Sequence, residues 1–271
     1  MVRQILITFL VGASALAQQK TQQKAAHPTV DQIVDRVVAR FADEEKQEKA
    51  GREVLCIEHG SYDELDDDGR VKEHADTVRE PVLIGDKVYM RLVSRNGSPP
   101  TGKYLDREKE REAKFREQTK KPQKKEDDEV KFDRELLSRF NVAILGEEAV
   151  GGRPAWLINV LPKPGDKPER VKLERVLNRL SGKIWIDEQD YTIAKVDLAL
   201  TEPVSFYAFV GKLRSLTLKS EQRPVRDGVW APVHMDIAVD ARAMWKSVHF
   251  HEVSDCTGYK TKSELGRISD F

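Results

Sequence analysis

The sequence predicts a mainly β protein with a few helices, of the α+β class, built as one antiparallel sheet curved into an incomplete β-barrel under a helical lid. Three observations predict it. Candidate strands joined by short turn-bearing links recur along most of the chain, and short links pair neighbouring strands as hairpins. The clearest strands alternate: Ala194, Val196, Leu198 and Leu200 interleave with Ile193, Lys195, Asp197 and Ala199, and Val229, Ala231, Val233, Met235, Ile237 and Val239 with Trp230, His234 and Asp236. Each strand therefore has one apolar face. About ten such strands offer more apolar face than two or three short helices can cover, and a ribbon curled around its own apolar side resolves the excess.

Composition sets the outer limits. The chain has 271 residues, 46 basic and 46 acidic, with 39% hydrophobic and 34% charged residues. That suits one soluble domain plus a solvated segment, and balanced charge excludes a long-range field for nucleic acid or an anionic membrane. Residues 1–17 read as a signal peptide: Arg3, an apolar run over 5–11, then Ala15-Leu16-Ala17 as the cleavage triplet. Cleavage near Ala17 makes an exported, periplasmic protein the expectation. No cysteine stands there to carry a lipid anchor.

The elements follow in order. Residues 18–27 are a polar leader without periodicity. Thr29-Val30-Asp31-Gln32 has the capping-box form, and Val30, Ile33, Val34, Val37, Val38 and Phe41 follow at helical spacing. Strands are expected over 53–62, 77–84, 87–94, 141–147, 155–161, 183–188, 192–200, 212–223, 229–241 and 246–253. Gly85-Asp86, Val150-Gly151-Gly152-Arg153, Asp187-Glu188-Gln189-Asp190 and Arg226-Asp227-Gly228 supply turns between them.

Two interruptions stand out. Residues 106–135 are a highly charged insertion divided by Pro122, and its interleaved signs make a solvated helix or disorder the expectation rather than a nucleic-acid patch. At its end Phe132, Leu136, Leu137 and Phe140 return to helical spacing, so a short helix packs back on the sheet. Val171, Leu173, Val176, Leu177 and Leu180 fit a helical face or the start of a strand. The single domain then spans 28–265, with a tail at 266–271.

Few residues suggest chemistry. His249-Phe250-His251 puts two imidazoles on one strand face near His234 and Asp236, a set zinc would accept. Without HExxH or CxxC, a polar outer face opposite Val248 and Phe250 is the expectation. GxSxG is absent, neither cysteine has a nucleophile motif, and residues 97–102 lack the order of a phosphate loop. Asp66-Asp67-Asp68-Gly69 reads as a hairpin turn rather than a calcium loop. Cys56 and Cys256 are too few for a disulfide scaffold; one staple between the start and end of the sheet is open to them, two free thiols being the simpler expectation. Trp185, set among Ile184, Ile186 and a turn, is expected in the core, while Trp156, Trp230 and Trp245 fit core or cavity equally.

The order of signal peptide, amphipathic helix, antiparallel meander, "SGKIWIDEQDYTIAKVDL", "VRDGVWAPVHMDI" and closing "VHFHEVSDCTGYK" resembles the periplasmic outer-membrane lipoprotein-sorting proteins, the LolA-like superfamily with LolB and RseB-type domains. Gly182, Trp185, Asp187, Asp227, Gly228, Trp230 and Pro232 match its hairpin motifs. The resemblance implies an unclosed barrel whose cavity receives acyl chains or another apolar ligand, with no catalysis and no cofactor. On that reading Val196, Leu198, Met235, Ile237, Val248 and Phe250 line the cavity, and Ile33, Val34, Val37, Phe41, Phe132 and Leu136 form the lid. Partners would be lipids or lipoprotein acyl chains, together with envelope proteins, with no nucleic acid and only transient membrane contact, for a chain expected to be a monomer. An envelope interaction module of the same fold, working through the charged insertion as RseB-like domains do, is the alternative. A metal-dependent hydrolase using His234, His249 and His251 comes last.

Overall fold

The computed structural model describes residues 28–49, 51–120, 130–165, 169, 172–206, 211–226, 228–243 and 246–267. The signal peptide, the leader, Asp227 and Trp245 lie outside the described residues. Helix α1 (Val30–Lys49) begins at the expected capping box: Thr29 N donates to Gln32 Oε1 at 2.8 Å and Gln32 N to Thr29 Oγ1 at 3.3 Å. These two bonds satisfy amides that the first helical turn leaves without partners.

Strands β1 (Val54–Leu65), β2 (Val71–Ile84) and β3 (Lys87–Arg95) follow, then helices α2 (Gly102–Lys120) and α3 (Arg134–Leu137). Next come β4 (Phe140–Val150), β5 (Arg153–Pro162), α4 (Lys172–Leu177), β6 (Leu180–Asp187) and β7 (Ile193–Leu200). β8 (Val204–Phe206), β9 (Gly211–Arg226), β10 (Val229–Ala243) and β11 (Lys246–Thr261) complete the sheet. Its order is β3-β2-β1-β11-β10-β9-β7-β6-β5-β4, with β8 pairing β9. Every pairing is antiparallel, and β3 and β4 are unjoined edges, so the barrel is incomplete.

Two hairpin series thus meet where the first strand pairs with the last, and the chain crosses from one edge to the other through α2 and α3. Cys56 and Cys256 lie on those two meeting strands. Their Cα atoms are 5.5 Å apart and the sulfurs are bonded, within the reach of about 7 Å that a bridge demands. The expectation of two free thiols is corrected: strand pairing brings together residues separated by 200 positions, a proximity no local pattern encodes.

Between α4 and β6 the structure divides the ambiguous segment, giving Lys172–Leu177 to helix and Leu180 to strand. β2 starts earlier than its apolar pattern predicts, because the exposed Val71 and the following Glu73 are carried by pairing with Leu65 and Glu64 of β1 rather than by burial.

The inner face is defined by α1. Ile33 and Val37 pack on Trp156, Ile158 and Ile186, with Phe41, Ile144, Ile184 and Ile193 around them. On the opposite face Val150, Ala155, Trp185 and Ala194 form a second cluster. Gly182 of the GxIWID motif has φ 148°, and a Cβ there would stand 2.1 Å from the Asp197 carbonyl oxygen of β7. No side chain fits without moving backbone. Gly182→Ala is therefore expected to lower stability by about 1–3 kcal/mol, read from the urea midpoint; an unchanged midpoint would show that the strands part freely.

Candidate ligand-binding site

The turn between β6 and β7 organises the site. Asp187 is 1% exposed and accepts from Arg153 Nε at 2.6 Å and Nη2 at 2.8 Å, and from the amides of Gln189 at 3.0 Å and Asp190 at 2.8 Å. Burial opposes ionisation of Asp187, but Arg153 and the turn amides outweigh it and hold the carboxyl below its ordinary range. Arg153 also reaches Asp190 at 2.9 Å, and Asp190 accepts from Trp230 Nε1 at 2.9 Å. Trp185 donates to Glu148 at 3.0 Å. The described motif residues Trp185, Asp187 and Trp230 thus gather at one end of the sheet, and Arg153 and Asp190, which the motifs did not single out, join them.

Trp230 borders a cavity of about 820 Å³. α1 contributes Val38, Phe41 and Ala42, the start of β1 Val54, the segment before α3 Val130 and Phe132, and the β9–β10 hairpin Gln222 and Val229. Phe41 and Phe132 stack with centroids 4.8 Å apart, tying α1 to that segment. The lining is also charged: Glu44, Glu45, Glu48, Glu53, Arg40, Arg52 and Lys131. Arg40 is held by Glu44 at 2.9 Å and Thr192 at 3.0 Å. Burial and then Glu48 raise the Glu53 carboxyl above its ordinary range, with Lys262 opposing.

α3 is anchored from below. Arg139 Nη1 donates to Glu174 of α4 at 2.9 Å and to Asn178 at 3.3 Å, and Nη2 to Glu135 at 3.0 Å. The side chains of Arg139 and Glu174 are 4% and 0% exposed. Arg134 pairs with Asp35, joining α3 to α1.

The residues expected in the lid divide. Phe41 and Phe132 wall the cavity, whereas Ile33, Val37 and Leu136 are buried core and Val34 is half-buried. Directly paired residues share a sheet face, and the register places all six expected lining residues on the inner one. Val196 pairs with Ile184 and Ser220, Ser220 with Met235, Leu198 with Leu218, Leu218 with Ile237, Phe250 with Val239, and Val248 with Ala241. None of the six borders the cavity. They are half-buried, and Val248 is 36% exposed, because α1 packs over β4–β6 while they lie on β7, β10 and β11.

The same face turns polar on β1, β2 and β11. Glu58 pairs with Arg79, and Arg79 bridges to Glu252 at 3.0 Å. Burial, helped by Glu252 and opposed by Arg79, raises the Glu58 carboxyl. The inner lining is therefore amphipathic, apolar on β7 and β10 and charged on β1, β2 and part of β11.

The histidines face outward. His234 contacts Asp255 at 2.8 Å, His251 Asp236 at 2.9 Å, and His249 both Asp67 and Asp240 at 3.2 Å. Each ring is engaged by a carboxylate of its own, and among the described residues no three ligating groups converge. The Asp66–Gly69 segment is the β1–β2 turn, where Asp66 Oδ1 accepts from the amides of Asp68 at 2.9 Å and Arg70 at 2.8 Å.

Fold and site together define a half barrel with a cavity of mixed apolar and charged lining beside its first helix. Among solved structures, the chain is similar to a Vibrio parahaemolyticus domain described as an outer membrane lipoprotein-sorting protein, with 10% identity over 86% of this chain and 94% of that one, at a TM-score of 0.37. It is also similar to a DUF1329 family protein from Desulfovibrio piger, with 13% identity, 89% and 96% coverage and a TM-score of 0.32. A third is the Pseudomonas aeruginosa MucA/MucB complex, with 12% identity, 84% and 98% coverage and a TM-score of 0.27. No protein-family model and no curated protein sequence matches the chain.

Proposed function

We propose that the protein is an exported, non-catalytic binding protein for an apolar chain, such as a lipid or lipoprotein acyl group. The supporting observation is the cavity walled by Phe41, Phe132, Val229 and Trp230 at one end of a sheet whose inner face keeps Val196, Leu198, Met235, Ile237 and Phe250 only half-buried. An acyl chain would enter the cavity and continue along that stripe. Each methylene buried contributes about 0.8 kcal/mol, so a chain of about a dozen carbons leaves a surplus after ordering costs. The disulfide supports an oxidising compartment.

Native mass spectrometry of protein purified from the envelope, with lipid extraction, tests this, together with titration of a fluorescent fatty acid. A co-purifying lipid is expected, and Phe41→Ala with Phe132→Ala should weaken uptake about tenfold, near 1.4 kcal/mol. A clean apo mass with no uptake would sink the carrier. The openness of the inner face would then favour the second reading, an envelope interaction module that lays a protein segment on the same stripe.

A further inference from the structure

The charged helix α2 has no buried residue, yet it lies against the edge of the sheet in a specific way. Glu108 Oε1 accepts from the Leu92 amide at 3.1 Å, and Arg111 Nη2 donates to the Met90 carbonyl at 2.6 Å. Those two backbone groups of β3 are the donor and acceptor that another strand would take, two residues apart on one side of the strand. Glu108 and Arg111 are joined at 3.0 Å, and Tyr89 donates to Glu108 at 2.8 Å. Phe115 packs at a tilt against Tyr89, with centroids 5.1 Å apart, and Tyr104 donates to Glu73 of β2 at 2.6 Å. Tyr104 thus ties the start of the helix to β2, while Glu108, Arg111 and Phe115 hold it against the edge strand β3.

The other edge differs. Among the described residues no element pairs with β4 on its outer side, and Ala143, Leu145, Glu147 and Glu148 are exposed. β3 carries Lys87, Arg91 and Arg95 and no acid, while β4 carries Glu147 and Glu148 and no base. An uncovered β3 would therefore meet in every other copy a strand of opposite formal charge whose outer backbone edge no described element pairs. Pairing β3 with itself would instead set the basic residues against one another.

We propose that α2 is a guard on the β3 edge, occupying its hydrogen-bonding positions with Glu108 and Arg111 and so preventing β3 from pairing with β4 of a second copy of this chain. The contact it prevents joins two different edges, so it does not close on itself and would grow beyond a dimer. This gives the charged insertion a task that its composition does not reveal.

The test uses the full chain with Glu108→Ala and Arg111→Ala together, followed by hydrogen exchange at Leu92 and by sedimentation over a range of concentrations. Exchange at Leu92 should quicken by about tenfold, as for loss of one charge-assisted hydrogen bond. The wild type should stay monomeric, and the variant's mass should rise with concentration past that of a dimer. Ala143→Lys, at an exposed position of β4, should return the double variant to the monomer. Unchanged exchange at Leu92, a freed amide in a chain that stays monomeric, an associating wild type, or association that Ala143→Lys leaves intact would each overturn the proposal. Unfolding of the double variant falls in the last class, since a new lysine on β4 does not reverse it.

Discussion

Arg139→Ala is expected to lower the unfolding free energy by about 3–5 kcal/mol, the range for removing one partner of a buried ion pair. The mutation leaves Glu174, fully buried, without the guanidinium that neutralises it, and removes the bonds to Asn178 and Glu135. Removing one member of a buried ion pair is costly, whereas removing both charges is cheap. The double variant Arg139→Leu with Glu174→Leu should accordingly recover most of the loss. α3 leads back to Phe132, so the single variant should also loosen the cavity wall and weaken fatty-acid uptake. Urea denaturation of the two variants is the measurement, and a single-variant loss below about 1 kcal/mol would place the pair outside the stabilising framework.

Asp187→Ala is expected to cost about 2–3 kcal/mol, because Arg153 is left with Asp190 as its carboxylate partner and two turn amides lose their acceptor. The consequence is directional in pH. The folded carboxyl titrates below its ordinary value of 3.8, so its contribution is complete above that value and fades as pH falls toward the folded one. Wild type should lose stability on that acid limb more steeply than Asp187→Asn, whose curve lacks this titration. Equal slopes for the two proteins would mean that Asp187 gains nothing from folding as an anion. Trp230 fluorescence should shift in Asp187→Ala as well, since Asp190 and Arg153 hold its ring.

The elements readable from sequence were those with local causes. The box at Thr29 and Gln32 fixed the start of α1, and the charged turns at Gly85, Val150 and Asp187 separated paired strands where their backbone chemistry required. Trp185 is in the core, as expected, but on the face opposite its isoleucine neighbours, against Val150, Ala155 and Ala194. The cavity was less legible. Alternation put Val196, Leu198, Met235, Ile237, Val248 and Phe250 on one face, as the register has them, but alternation says which side a residue takes and not what covers it.

The amino-acid sequence by itself determined ten of the eleven strands, most of their turns and the amphipathic first helix, because propensity, capping and alternation act over a few neighbours, and it missed the three-residue β8. The tertiary structure alone decided that β1 joins β11 and bridges Cys56 to Cys256, that Arg139 finds Glu174, and that α2 lies along β3. Those contacts link positions far apart in the chain, and they form only once the curled sheet has set the distances between them.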